Sequence, residues 1–70
     1  MDEAERELAA WHVLLDDNDY RLEYPEDYRP TLYQRAEELR LRGLIDCMER
    51  FELKEWANAA YTYTLKEISV

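Results

Sequence analysis

Hydrophobic residues at the start of the chain recur at the spacing of an α-helix. Between positions 2 and 16 they fall on one face of a helix with about 3.6 residues per turn. These residues are Ala4, Leu8, Trp11 and Leu15. Asp2 and Glu5, three residues apart, have the spacing of a capping box. The pattern predicts an amphipathic helix over 2–16, ended by the polar run 16–19 because short polar side chains compete for backbone hydrogen bonds.

The next segment, residues 20–30, contains both prolines of the chain. Three tyrosines at every fourth position form a helical pattern, but Pro25 disfavours helical backbone at the residue before it. Pro25 suits the first position of a short helical turn. We therefore predict such a turn from Pro25, closed at Pro30.

A second amphipathic segment runs from 31 to 42. Thr31 and Gln34 repeat the capping-box spacing, and apolar side chains return at helical intervals. The positions expected to be buried are Leu32, Ala36 and Leu39. Gly43, the only glycine in the chain, stands where a helix ends in a left-handed residue. The sequence predicts a helix over 31–42 that stops at Gly43.

The C-terminal part of the chain fits two structures. Over 44–53 and 60–67 polar and apolar residues alternate, with Glu49 as the exception, so these segments predict a β-hairpin whose tip is 54–59. As one helix, the same residues also fit a 3.6-residue period. That period would bury Leu53, Trp56, Ala57, Ala60, Tyr61, Leu65 and Ile68. The Tyr-Thr-Tyr-Thr run at 61–64 loses side-chain freedom in a helix, so we favour the hairpin.

Together these elements predict an α+β fold, in which the helices at 2–16 and 31–42 pack against the hairpin in one domain spanning 1–70. The alternative is an all-α helical bundle. A core of this size gives only a few kcal/mol of net stability, and a single cysteine cannot form an internal disulfide. We therefore expect a homodimer or a stabilising protein partner.

Charge is distributed unevenly along the chain, whose net charge is −8. Residues 1–28 contain ten acidic and two basic side chains, whereas 29–44 contain four arginines and two acids. The overall acidity argues against non-specific binding to nucleic acids or membranes. On the second predicted helix, however, arginine and glutamine side chains could contact phosphates and base edges. These candidates are Arg29, Gln34, Arg35 and Arg42. The alternative is a solvated face with intrahelical ion pairs to Glu38.

Residues that could support catalysis or metal binding are few. Cys47 and His12 are the only cysteine and histidine, and neither has the partners that a nucleophile or a metal site needs. A chain with one glycine has no glycine-rich phosphate loop. We expect a non-enzymatic protein without cofactor, metal or small-molecule substrate. The lone cysteine and the lack of an apolar run of about 18 residues predict a cytoplasmic protein that does not enter a membrane.

Two short motifs resemble a known family. Residues 31–45 read Thr-Leu-Tyr-Gln-Arg-Ala-Glu-Glu-Leu-Arg-Leu-Arg-Gly-Leu-Ile, and 61–65 read Tyr-Thr-Tyr-Thr-Leu. They are similar to the recognition helix and the wing of winged-helix transcription regulators, PadR-like ones in particular. The matching positions are Thr31, Tyr33, Leu39, Gly43, Leu44, Ile45, Tyr63 and Leu65, and Lys66 stands where threonine is usual. The resemblance implies a helix-turn-helix protein whose recognition helix enters the major groove of duplex DNA through Arg29, Thr31, Gln34 and Arg35.

Two functions remain open at this point. The first is a dimeric winged-helix regulator that binds DNA through the 31–42 helix, and the small size favours a phage type. The second is an acidic protein-interaction module, or a DNA-mimic inhibitor, that keeps the winged-helix shape. Trp11 and Trp56 are candidate partner or dimer contacts. Trp11 also suits the core, and Trp56, near the predicted hairpin tip, could fold back onto it.

Overall fold

A computed structural model describes residues 2–68, and every regular element in that range is a helix. The order is α1 (Glu3–Leu15), α2 (Asn18–Glu23), α3 (Pro25–Leu41) and α4 (Cys47–Ile68). Because residues 2–68 contain no strand, the predicted α+β winged-helix-like fold, with its hairpin at 44–53 and 60–67, is wrong. The alternative, an all-α structure, is what the chain adopts.

The three long helices run up, down and up. Arg42, just beyond α3, reaches Glu3 at the start of α1, and the Tyr28 hydroxyl near the start of α3 donates to the Leu15 carbonyl at the end of α1. These contacts make α1 and α3 antiparallel. The turn at 42–46 sends α4 back along α3, with which it makes the most extensive contact in the bundle. α3 is therefore the central helix, flanked by α1 and α4.

The prediction of the first helix is confirmed. Asp2 caps α1, since its Oδ1 accepts a hydrogen bond from the Glu5 amide at 2.8 Å. Trp11 is only 3% exposed and belongs to the core. Its indole Nε1 donates to the Leu32 carbonyl of α3 at 3.0 Å. The one polar group of this buried side chain therefore has a hydrogen-bond partner.

The predicted helix stop at Pro30 is wrong, because α3 begins at Pro25 and continues through Pro30. Pro30 has no N–H to donate to the carbonyl of Glu26, a loss of about 3 kcal/mol in a helix interior. The helix persists because it buries apolar side chains on both sides of this point, and full burial of a large one contributes about 1.5–3 kcal/mol. They are Tyr28, Leu32 and Ala36. Thr31 is consequently not an N-cap: its hydroxyl donates to the Asp27 carbonyl, one turn back, at 2.8 Å.

Gly43 ends α3 as the sequence predicts. Its φ is 75°, in the left-handed region. The Gly43 amide donates to the Arg40 carbonyl and the Leu44 amide to the Leu39 carbonyl, each at 3.0 Å. These two bonds form a Schellman motif, and Leu44 packs onto the core beside it. The glycine therefore stops the helix without redirecting the chain into a strand.

The start of α4 explains why the hairpin prediction failed. Asp46 Oδ1 accepts from the Glu49 amide at 2.8 Å, and Glu49 Oε1 accepts from the Asp46 amide at 3.3 Å. This is a capping box, which satisfies two amides that the first turn of a helix leaves free. Glu49, the exception in the strand alternation, is thus the residue that closes the cap.

The inward face of α4 has helical spacing. It consists of Leu53, Ala57 and Thr64, which are buried, and Ala60, which is partly buried. The Thr64 and Thr62 hydroxyls donate to the carbonyls one turn earlier, at 2.8 and 2.9 Å. Those bonds let threonine sit within a helix, so the Tyr-Thr-Tyr-Thr run does not require a strand. The side chain of Ile68 lies outside the described residues.

Candidate interaction surface

The residues predicted to bind DNA do not converge on one face of α3. Arg29 faces α4, where its guanidinium lies 4.2 Å from the Tyr61 ring centroid and donates to Asn58 Oδ1 at 3.1 Å. Arg42 faces α1 and forms ion pairs with Glu3 and with Glu7. These two arginines therefore stabilise the bundle from opposite sides of its central helix.

The other three residues predicted to bind DNA also differ in their surroundings. Thr31 faces α2, with its Oγ1 3.0 Å from the Tyr20 hydroxyl. Gln34 and Arg35 are exposed, and neither side chain has a partner among residues 2–68. Arg35 lies beside Glu38 in a cleft between α1 and α3. Only two of the five predicted residues are therefore free to meet a ligand.

Most basic side chains are engaged within the protein. Six of the nine contact an acid, a polar group or an aromatic ring: Arg21, Arg29, Arg40, Arg42, Arg50 and Lys54. Lys54 and Arg50 both contact Glu37, and they hold the pKa of that carboxyl below its usual value. Four of these six, Arg21, Arg42, Arg50 and Lys54, form ion pairs with acids, so few basic side chains are free to bind a ligand.

Most acidic side chains, in contrast, have no cationic partner. Of the seventeen, the described ion pairs involve four: Glu3, Glu7, Glu37 and Glu67. The remainder include caps such as Asp2 and Asp17, whose carboxylates bind backbone amides at helix starts. The outward field of the protein is consequently negative, and it favours basic partners over phosphate.

The two tryptophans have different positions. Trp11 is in the core and offers no surface to a partner. Trp56 is 47% exposed in the middle of α4, where the hairpin prediction had placed a loop tip. Its ring lies 5.0 Å from the ring of His12 on α1. Trp56 is therefore anchored on one side and open on the other.

Trp56 borders an open groove between α4 and the end of α1, which we name the Trp56 groove. Its lining includes Leu15, Asp16, Trp56, Ala59, Ala60 and Tyr63, and Asn18 and Arg21 of α2 complete it. Tyr63 is 60% exposed and forms the far wall, two helical turns from Trp56. The small side chains of Ala59 and Ala60 lie between these two rings. The groove therefore combines a shallow apolar floor with two large aromatic walls.

The rim of the Trp56 groove is acidic. Asp16 lines it on the α1 side. On α4, Glu52 precedes Trp56 by one turn and Glu55 precedes Ala59 by one turn, so each shares a helix face with a groove residue. All three carboxylates are exposed and have no ion-pair partner within residues 2–68. An apolar floor flanked by free carboxylates suits an apolar ligand that also carries positive charge.

Two bases lie near the groove: Lys66, exposed on α4 three residues after Tyr63, and Arg21, which lines the groove but is already bound to the protein. Its Nη1 donates to Thr64 Oγ1 at 2.7 Å and lies 3.6 Å from Glu67 Oε2. The side chain is only 11% exposed. Arg21 thus joins α2 to α4 and adds little positive charge to the groove. No local pattern predicted this role, because Thr64 is 43 residues away in the sequence.

The sequence contained one signal for the Trp56 groove. It lay in the all-helical alternative for the C-terminal part of the chain, which was not favoured. In a helix, Trp56, Ala59 and Tyr63 share one face because they are separated by three and four residues. The hairpin prediction placed Trp56 and Ala59 in its tip and Tyr63 in a strand. The contribution of Asp16 and Leu15 depends on tertiary packing and had no signal in the sequence.

The exposed thiol of Cys47 has an unusual neighbour. Arg40 Nε donates to Cys47 Sγ at 3.3 Å. This hydrogen bond and the positive charge of Arg40 lower the pKa of the thiol from its ordinary value. Because the thiolate is the nucleophile, we expect iodoacetamide to alkylate Cys47 with a pH midpoint below that of an unstructured cysteine peptide. The measurement is the alkylation rate against pH, followed by mass spectrometry.

Arg40→Met should move the alkylation midpoint upward, towards that of the peptide. Arg35→Met provides the matched control, since it removes an arginine from the same helix that has no contact with Cys47. An Arg40→Met profile that overlays the parent profile would show that the contact does not perturb the thiol.

Other kinds of site find no support in the described part of the chain. Residues 2–68 contain no group of three or more histidine, cysteine or acidic side chains placed to bind a metal ion. No helix in this range combines the length and the apolar character that crossing a membrane requires.

The chain matches no protein-family model, no curated protein and no solved structure. The relationship to PadR-like regulators therefore stays a prediction, although the winged-helix fold that it implied is wrong.

Proposed function

We propose that this protein is a non-enzymatic interaction module that binds a basic protein partner. The observation that supports this most is the division of its charges. Thirteen of the seventeen acids but only five of the nine bases have no ion-pair partner among the described residues. Electrostatic complementarity of this kind mainly raises association rates and selects against acidic partners. The single cysteine supports a cytoplasmic location as part of the same proposal.

DNA binding remains the competing hypothesis, and the geometry favours it less. Arg29 and Arg42 would have to leave Tyr61 and Glu3 before they could contact phosphates. Each phosphate contact must also overcome the repulsion of a chain with net charge −8. A DNA-mimic inhibitor is disfavoured for another reason: the carboxylates of the Trp56 groove flank an apolar floor, which the phosphate backbone of a duplex does not have.

The two hypotheses are separated by one binding experiment. The full chain is titrated with a lysine- and arginine-rich peptide library, with a glutamate-rich library and with random duplex DNA. Each titration is performed at about 50 mM and about 200 mM salt, a range over which phosphate and surface-charge contacts weaken strongly. We expect the basic library to bind in a salt-dependent way, and the other two ligands not to bind.

Retardation of DNA without binding of basic peptides would overturn the proposal. In that case the double variant Arg35→Glu with Arg42→Glu should abolish DNA binding if the α3 arginines are responsible. Absence of binding to basic peptides at low salt would also overturn it, whatever the result with DNA.

A further inference from the structure

Building on the proposed function, we propose that the Trp56 groove binds one amphipathic basic helix of another protein. The occupant would place an apolar side chain over Ala59, between Trp56 and Tyr63, and cationic side chains against the carboxylates of the rim. Three features of the groove point to this occupant: its dimensions, its composition and its charge.

The spacing of the aromatic walls suits a helix. Trp56 and Tyr63 are seven residues apart in α4, which corresponds to about 10 Å along the helix axis. A whole α-helix, about 10–12 Å across with its side chains, is too wide to lie between the rings, but one apolar side chain of a helix that packs across α4 fits there, over Ala59. A peptide that binds by adding a β-strand has no edge to pair with, because residues 2–68 contain no strand.

The composition of the groove suits tight contact at its centre. Ala59 and Ala60 have small side chains, which allow a partner helix to approach the α4 backbone closely. Tryptophan and tyrosine are the residue types most enriched among energetically dominant contacts at protein interfaces. Both rings are held in place from within the protein, Trp56 by His12 and Tyr63 by the guanidinium of Arg21, 5.6 Å from its ring centroid. The walls are therefore partly pre-organised, which reduces the entropy lost on binding.

The charge of the groove selects a basic partner over a second copy of this chain. Asp16 lines the groove on the α1 side, and Glu52 and Glu55 lie on α4 one turn before Trp56 and Ala59. In a symmetric dimer through this groove, the same carboxylates of two chains would face one another. Each chain has a net charge of −8, so that arrangement is repulsive unless a base intervenes. A helix with lysine or arginine on both sides of an apolar stripe turns the same carboxylates into attractive contacts.

Two other apolar surfaces suit this occupant less well. The cleft between α1 and α3 is lined by both bases and acids, so it favours neither a basic nor an acidic ligand. They are Arg35, Arg42, Glu7 and Glu38. On the outer face of α4, Phe51 is 58% exposed but is not part of the Trp56 groove. Phe51 therefore provides a matched control for the aromatic residues of the groove.

The test uses a designed peptide of leucine and lysine whose leucines form one helical stripe. A scrambled peptide has the same composition and charge but no stripe. We expect the striped peptide to bind the full chain at least about tenfold more tightly, a difference of about 1.4 kcal/mol. Amide chemical-shift changes should centre on Leu15, Ala59 and Tyr63, and the fluorescence of Trp56 should change on binding.

Three variants locate the binding site. Ala59→Lys fills the floor and reverses its charge preference, so it should weaken binding of the striped peptide at least about tenfold. Trp56→Ala should weaken it comparably, because it removes one wall. Phe51→Ala should leave the affinity unchanged. Ala59 and Phe51 are exposed, so circular dichroism should show an intact fold in both variants.

The outcomes separate this inference from the proposed function. If both peptides bind equally, or if shifts map elsewhere and Ala59→Lys has no effect, the groove inference fails while a basic-partner module stands. If neither peptide binds, both fail. If sedimentation shows a dimer whose formation is abolished by Ala59→Lys, the occupant is a second copy and the inference is overturned.

Discussion

Replacing Trp11 with alanine should leave the protein largely unfolded at 25 °C. Trp11 is 3% exposed, and its indole N–H donates to the Leu32 carbonyl at 3.0 Å, so the change removes both a large buried surface and a buried hydrogen bond. Tryptophan-to-alanine substitutions in cores cost about 3–5 kcal/mol. A domain of this length has a total stability of roughly 4–10 kcal/mol, and its small core places it at the lower end. The loss is therefore comparable to the whole free energy of folding.

The measurement is urea unfolding followed by circular dichroism, with Val13→Ala as the control. Val13 is on the same helix but 72% exposed, so its substitution should change the free energy of unfolding by less than about 0.5 kcal/mol. Trp11→Phe should fall between the two, because it keeps much of the volume and loses the hydrogen bond. Comparable stabilities for Trp11→Ala and Val13→Ala would show that α1 does not contribute to the core as the structure indicates.

The second large effect is expected at Arg21, through which α2 is tied to α4. Arg21→Met keeps the length of the side chain but removes the hydrogen bond to Thr64 and the ion pair with Glu67. Hydrogen bonds to charged groups contribute about 1.5–3 kcal/mol. Thr64 still donates to the Ala60 carbonyl, so no buried hydroxyl is left unsatisfied and the cost should stay in that range. Tm should fall by about 10 °C.

Thermal unfolding by circular dichroism measures this loss, and Arg6→Met is the matched control. Arg6 is exposed on α1, and its side chain has no hydrogen bond or ion pair within residues 2–68. Its replacement should leave Tm nearly unchanged. In a double-mutant cycle, Arg21→Met and Thr64→Val should show a coupling of about 1 kcal/mol or more, since the two side chains share one bond. Additive effects would mean that the bond contributes no stability.

Helix α4 both stabilises the bundle and forms most of the Trp56 groove. Its inward face holds the bundle together through Leu53, Ala57 and Thr64, while a neighbouring face presents Trp56 and Tyr63 to solvent. Substitutions that impair binding can therefore be chosen on the exposed face without disturbing the core. Arg21 of α2 contacts both faces of α4, because it donates to Thr64 and also lies over the ring of Tyr63.

Part of the candidate site was within reach of sequence reasoning. The acidity of the chain follows from composition, and it correctly indicates the sign of the external charge. The arginines of the second predicted helix were recognised as its positive segment, but their availability could not be known. Arg42 meets Glu3 across 39 residues and Arg29 meets Asn58 across 29, and no local pattern reports such contacts.

Local sequence patterns were sufficient to predict one end of each of two helices. The Asp2–Glu5 spacing predicted the start of α1, and Gly43 predicted the end of α3, because caps and left-handed residues depend on neighbours only a few positions away. The Asp46–Glu49 pair has the same chemistry, and the alternation of apolar residues around it masked the signal. The start of α4 was thus encoded locally although the prediction missed it.

Tertiary packing determined the helical structure of segments whose local sequence preferences were evenly balanced or disfavoured a helix. Pro30 and the Tyr-Thr-Tyr-Thr run both disfavour helix by a few kcal/mol at most. Burial of Tyr28 and Leu32 around the proline, and the bond between Arg21 and the inward Thr64, favour helix by at least as much. The sequence by itself determined an acidic, helix-rich start and the stop at Gly43. The helical state of residues 47–68, and with it the Trp56 groove, required the contacts of the assembled bundle.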